Sequence, residues 1–168
     1  MLATCSSGAV TECDVVSGVC APMWAGLPST FLGRAGSGAF FGGFFGHGLE
    51  AGANVVACAA PQTECAERWV QNIPGGGSKV TGATALDVKR GTTYVTVSLV
   101  QGGQSTALLR CPTNAPCEEL ARFRCGGAYP FIGATAIPKI DTVNDRLYVA
   151  YRDQDNLGRP SILMLDLF

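Results

Sequence analysis

The chain is poor in charge and almost without histidine. Asp, Glu, Lys and Arg together make up 15% of its 168 residues, the formal net charge is −1, and His47 is the sole histidine. No stretch concentrates Lys and Arg, so the counter-ion release that drives binding to a phosphate backbone has no source, and nucleic acid is not an expected partner. An electrostatically held membrane surface is disfavoured on the same ground. There is no CxxC pair and no GxSxG elbow, and the paired cysteines stand further apart than the two to four residues of a zinc site. With one histidine, a Cys–His or Ser–His dyad has little to build on. No cofactor and no metal ion are expected. A long apolar run is also missing. Residues 15–33 carry no charge, but Pro22 and Pro28 interrupt them, and the Gly/Phe stretch over 40–48 is too short to span a bilayer. Membrane insertion is therefore not expected.

The N-terminus, MLATC, has neither the basic region nor the apolar stretch of a secretory signal. LATC faintly resembles a lipoprotein cleavage site, but the regular cysteine spacing already explains Cys5 as a strand-end residue. What the chain has in quantity is apolar residues (47%), 22 glycines, 9 prolines and 8 cysteines. This composition belongs to a folded, turn-rich domain with a sizeable core. So many cysteines without metal spacing point to an oxidising compartment and an extracytoplasmic location: secreted, periplasmic or cell-surface. With no signal visible, the expectation is a segment or trimmed form of a longer exported protein.

The cysteines are spaced. Cys5, Cys58 and Cys111 stand 53 residues apart, and each is followed after a short polar or proline-containing loop by a partner, Cys13, Cys65 and Cys117. A fixed period near 50 residues signals a repeat architecture. Gly82-Ala-Thr-Ala-Leu86 recurs as Gly133-Ala-Thr-Ala-Ile137, and Tyr94-Val-Thr-Val97 as Tyr148-Val-Ala-Tyr151. In the second pair, Val95, Val97 and Leu99 alternate with Thr96 and Ser98, and Leu147, Val149 and Tyr151 share one face. This is the period of two that marks strands. Four strands are expected near 80–88, 92–100, 105–111 and 118–124, and three more near 134–141, 145–152 and 161–168. AFFGGFFGHG is a glycine-weakened strand. The segments AERWV and EELARF have helix-prone composition and read either as fourth strands or as short helices.

The expected fold is all-β: β-propeller-type four-stranded blades in about three repeats of roughly 50 residues, either an incomplete ring that is part of a larger one, a ring completed by another copy, or an open array. The single repeat domain, 1–168, divides into a partial blade (1–20), a degenerate blade (21–72), a full blade (73–125) and three strands of a last blade (126–168). Unpaired blade edges invite self-association. Cysteines flanking a hairpin loop lie across from each other, so the expected bridges are Cys5–Cys13, Cys58–Cys65 and Cys111–Cys117. Cys20 and Cys125 receive no assignment.

Three motif-like stretches have plainer readings. Gly36-Ser-Gly-Ala-Phe-Phe-Gly42 follows a dinucleotide pattern, but Phe-Phe-Gly-Gly-Phe-Phe is a poor helix and a Gly-rich strand suffices. Pro74-Gly-Gly-Gly-Ser-Lys79 lacks P-loop spacing and reads as a link. Asp153-Gln-Asp-Asn-Leu-Gly158 begins like a calcium loop, yet Met164 stands where the closing Glu belongs, so a hairpin turn is expected.

The run from Asp145 to Ile162, DRLYVAYRDQDNLGRPSI, together with Thr93-Tyr-Val-Thr-Val97, resembles the bacterial extracytoplasmic β-propellers of the broad sialidase/BNR-like kind. The likeness covers about residues 80–168 and implies architecture. The S-x-D-x-G-x-x-W box of those repeats is missing, with a cysteine-bridged loop in its place, and the F-R-I-P-type motif is missing too. Catalytic residues therefore do not carry over.

In such a propeller, the loops joining second to third strands and one blade to the next share the face that binds ligands. Here that face would carry Trp24, His47, Glu50, Gln101, Gln104, Tyr129, Arg152, Asp153, Asp155, Asn156 and Arg159, with the disulfide loops on the opposite face. The functional expectation is a non-enzymatic binding or scaffold module of an exported protein, taking a glycan or protein ligand. The alternative is a carbohydrate-active hydrolase of propeller fold using carboxylates such as Glu50 and Asp153. The motifs lean against an enzyme, and no catalytic residue is assigned.

Overall fold

Strand-forming alternation dominates the computed structural model, which describes residues 2–4, 10–13, 16–24, 30–35, 38–45, 52–59, 65–72, 79–100, 105–125 and 136–167. Among the described residues, fourteen strands form four antiparallel sheets, each a meander in chain order. The first holds β1 (Leu2–Thr4), β2 (Val10–Cys13) and β3 (Cys20–Trp24). The second holds β4 (Thr30–Ala35), β5 (Gly38–Phe45), β6 (Gly52–Cys58) and β7 (Cys65–Asn72). The third holds β8 (Lys79–Asp87), β9 (Thr92–Val100), β10 (Ser105–Pro112) and β11 (Glu118–Arg124), and the fourth β12 (Ile137–Asp141), β13 (Arg146–Asp153) and β14 (Arg159–Asp166).

The all-β expectation holds, and the strands of the third and fourth sheets start and end within a few residues of the expected places. AERWV and EELARF are strands, β7 and β11, rather than helices. Their helix-prone composition is overridden by pairing: each completes the ladder of a buried neighbour, β6 or β10, and leaves its own outer residues to solvent.

The third sheet is a wall between two cores. Val95 and Val97 of β9 and Ala107, Leu109 and Cys111 of β10 pack on Leu32, Phe40, Ala53 and Val55 of the second sheet. Their sequence neighbours Tyr94 and Leu108 turn the other way, onto Leu147 and Val149 of the fourth. A period of two places adjacent residues on opposite faces, so a strand apolar on both parities is covered on both sides. The closest approaches between sheets are made by their first strands, β4 against β8 and β8 against β12. Glycine permits one of these contacts: a Cβ on Gly33 would run into the Thr84 side chain, whose hydroxyl donates to the Arg34 carbonyl at 3.2 Å.

The pairing register also aligns the cysteines. A β-bulge interrupts the β2–β3, β6–β7 and β10–β11 ladders at Val10/Thr11, Val55/Val56 and Leu108/Leu109. In each case the bulge lies two to three residues before Cys13, Cys58 or Cys111. Cys13 therefore holds the place in the first sheet that Cys58 and Cys111 hold in theirs, and it faces Cys20 across the ladder as Cys58 faces Cys65. Cys58–Cys65 and Cys111–Cys117 are bridged as expected. Cys20 is disulfide-bonded, while Cys125 is a buried thiol. Cys5, and with it the expected Cys5–Cys13 bridge, lies outside the described residues. No helix among them is long and apolar enough to cross a membrane.

Candidate functional site

The turn between β13 and β14 gathers most of the expected site residues that the structure describes. Its sequence, Asp153-Gln-Asp-Asn-Leu-Gly158, closes on itself. The Asp153 carboxylate accepts the Asp155 N–H at 3.0 Å, and the Asp153 carbonyl accepts the Gly158 N–H at 2.7 Å. Leu157 (φ 55°) and Gly158 (φ 71°) occupy the left-handed region that reverses the chain. A leucine there costs about 1 kcal/mol, and Leu157 is 91% exposed, so the surrounding bonds rather than burial hold it.

Those bonds come from two sheets. The Gln154 N–H donates to the Arg124 carbonyl at 3.1 Å, Cys125 forms a β-bridge with Asp153, and the Arg124 guanidinium pairs with Asp155 at 3.0 Å. The end of β11 thus grips the β13–β14 turn. Behind it runs a buried polar seam. Ser98 and Thr106 share a 2.9 Å hydrogen bond, and the Thr96 hydroxyl donates to the Ala136 carbonyl at 2.6 Å. Burial pushes the Cys125 thiol up from its ordinary pKa, partly offset by hydrogen bonds from the Arg152 backbone and the Thr106 side chain. Beside the turn, Gln154 Oε1 is buried without a partner among the described residues.

Asp153, Asp155, Asn156 and Arg159 therefore sit on one turn. Arg152 stands beside it on the opposite side of β13 from Tyr151 and Asp153, and is exposed. Arg152 and Arg159 make no ion pair among the described residues, whereas Asp155 is engaged by Arg124. Trp24 ends β3. His47, Glu50, Tyr129, Gln101 and Gln104 lie outside the described residues. Asp153 and Asp155, the calcium-like pair, spend their carboxylates on the turn and on Arg124.

A second polar cluster, which sequence reasoning missed, joins the third and fourth sheets at their other end. Asp87, 1% exposed, accepts the Arg90 N–H and pairs with its guanidinium at 3.0 Å. The same guanidinium reaches Asp145 at 3.1 Å and the Leu167 carbonyl at 2.8 Å, and Lys89 also binds Asp145. Arg90, then Lys89, holds the Asp145 carboxyl below the usual carboxylate range. The signal was available in the repeat. Asp87-Val-Lys-Arg-Gly91 and Asp141-Thr-Val-Asn-Asp145 are equivalent turns, each opening on an aspartate that accepts a backbone N–H three residues on and closing on a left-handed residue, Gly91 or Asp145.

At this end the second and third sheets also leave an open cleft of about 650 Å³, lined by Ala39, Phe40, Ala57, Leu86 and the Cys58–Cys65 bridge. Arg68 spans it by donating to the Ala115 and Thr113 carbonyls of the Cys111–Cys117 loop. The Cys111–Cys117 loop is thus tied to β7 of the neighbouring sheet, the Cys117 N–H also donating to the Arg68 carbonyl at 2.7 Å. Such disulfide bridges suit an oxidising compartment. No protein-family model matches the chain, and no curated protein matches it.

Proposed function

We propose that the four sheets are blades of a β-propeller, and that the chain is a non-enzymatic, extracytoplasmic module that binds a glycan at the end carrying the β13–β14 turn. The propeller reading is supported by face-to-face stacking of the second, third and fourth sheets, meanders of four, four and three strands, in which the first strands β4 and β12 both lie against β8. The extracytoplasmic reading is supported by the two bridges.

The observation that carries the binding reading is the turn itself. It is gripped from two sheets, yet it leaves the Arg159 guanidinium and the Asn156 amide exposed and uncommitted to ion pairs among the described residues. Polar donors and acceptors carried on a backbone that is already fixed suit the hydroxyl-rich surface of a sugar, since only their side chains remain to be ordered on binding. The test is a glycan array on the oxidised chain, with a chromogenic glycoside panel alongside. Binding that Asn156→Ala or Arg159→Ala weakens by about tenfold, roughly one charge-assisted hydrogen bond, without turnover, supports the reading. Turnover transfers the site to the hydrolase alternative, and absence of glycan binding overturns the glycan assignment.

A further inference from the structure

The cleft between the second and third sheets has a counterpart in the stack of the third on the fourth, where the space is filled. The ladders align the two stacks. Cys58 and Cys111 hold the same place, opposite Ala39 and Thr93, so Phe40 corresponds to Tyr94, Ala57 to Arg110 and Ala66 to Glu118. On the facing wall, the Tyr94/Tyr148 repeat makes Thr93 correspond to Leu147, Leu86 to Ile140 and Cys111 to Leu165. In the filled stack Leu147 is fully buried, Ile140 and Leu165 pack against its cluster, and Arg110 pairs with Glu118. Beside the cleft, every one of these places except that of Leu86 holds a smaller residue, on both walls. The cleft is a local cut-out from a repeat that otherwise closes.

What lines the cut-out points to a ligand. Thr93 lies on the face of β9 that Val95 turns toward the second sheet, and it is 4% exposed. Its hydroxyl makes no hydrogen bond among the described residues, so a donor and acceptor aimed into the cleft stands unused. Around it the walls are apolar: Phe40, Ala57 and Leu86, with the sulfurs of the Cys58–Cys65 bridge. Polarizable sulfur and the ring of Phe40 both favour contact with an aromatic ring. Arg68, the one charged residue lining the cleft among the described residues, spends its guanidinium on the Thr113 and Ala115 carbonyls. A charged ligand would lose its hydration there and find no partner.

We propose that this cleft binds a neutral small molecule carrying an aromatic ring and one hydroxyl, the ring against Phe40 and the bridge sulfurs and the hydroxyl on Thr93. Its volume of about 650 Å³ lies within the roughly 300–1,000 Å³ of small-molecule sites. The site is distinct from the β13–β14 turn, and it stands whether or not that turn takes a glycan.

The test is fluorescence titration of the full oxidised chain with naphthol and with naphthalene, using hydroxynaphthoate and decahydronaphthol as competitors, and amide NMR shifts to locate the site. Naphthol is expected to saturate and to move the amides of Phe40, Ala57 and Thr93. Thr93→Val keeps the shape and removes the hydroxyl; it should weaken naphthol about fivefold, the share of one neutral hydrogen bond, and leave naphthalene unchanged. Thr93→Leu, or Ala57→Arg with Ala66→Glu, restores what fills the other stack and should abolish binding of both, with the strands retained by circular dichroism. Absence of saturable naphthol binding, shifts centred elsewhere, or an equal effect of Thr93→Val on both probes overturns the proposal. So does a hydroxynaphthoate or decahydronaphthol that binds more tightly than naphthol, because the first would need a charge partner and the second would need no ring.

Discussion

Leu108 and Leu109 are neighbours in sequence that belong to different cores, and replacing them separates the two. Both are fully buried. Leu109 packs with Val55 and Val97 between the second and third sheets, and Leu108 with Leu147 and Val149 between the third and fourth. Leu→Ala at such a site removes the transfer free energy of the lost groups and leaves a cavity, together about 2–5 kcal/mol. A domain stable by about 5–15 kcal/mol survives one such loss, so single variants remain measurable. Urea denaturation followed by tryptophan fluorescence, to which Trp69 in the second–third sheet cluster contributes, yields each stability. The sharper readout is a pair of double-mutant cycles with Leu147→Ala. Residues sharing a core couple by about 0.5–3 kcal/mol, whereas independent sites add to within about 0.5 kcal/mol. Leu108→Ala is expected to couple to Leu147→Ala, and Leu109→Ala to add to it. Equal coupling in both cycles would mean that the third sheet is no wall and the face assignment is wrong.

Other outcomes follow from the same geometry. Gly33→Ala is expected to destabilise by about 1–3 kcal/mol, as overpacking does, and Thr84→Gly to recover part of that, because the clash is with the Thr84 side chain. Gly82→Ala meets the Thr96 backbone carbonyl, and no side-chain change should rescue it. Removing Cys58–Cys65 or Cys111–Cys117, whose cysteines are 7 and 6 residues apart, is expected to cost about 2.5 kcal/mol each on the chain-entropy account, read as the shift in urea midpoint. Peptide mapping of the oxidised chain should find Cys20 linked to Cys13, its ladder partner; a Cys5–Cys13 peptide would refute the register argument. The Asp141 and Asp145 carboxyls are both lowered in the fold, Asp141 chiefly by the Asn144 side chain and Asp145 chiefly by Arg90. Their stabilisation is present above the unfolded-state value, about 3.9, and lost as pH falls through the folded one. A melting-temperature profile should therefore drop in acid, and Asp145→Asn, a residue suited to the left-handed turn, should flatten that drop.

Much of the strand plan was legible because a period of two and glycine-rich turns are local signals. The elements β8 to β11 could be read from Val/Thr alternation and from the short linkers between them, and Cys58–Cys65 and Cys111–Cys117 from hairpin geometry. The site was legible only as a turn: Asp153-Gln-Asp-Asn-Leu-Gly158 announces a reversal, but nothing in it tells that Arg124, some thirty residues earlier, takes up Asp155. The Asp87–Arg90–Asp145 cluster is hidden for the same reason, since its partners are brought together by stacking of sheets rather than by spacing in the chain.

The alternation of small and branched apolar residues with polar ones determined, without help from elsewhere in the molecule, that the chain is built of strands and where hairpins close. Tertiary structure decided what composition left open. AERWV and EELARF became strands because buried neighbours needed ladders. The bulges preceding Cys13, Cys58 and Cys111 set Cys13, not Cys5, in register with the later cysteines. Which parity of β9 and β10 meets which neighbour was also decided there, since burial is a property of the partner surface and is not written in either strand alone.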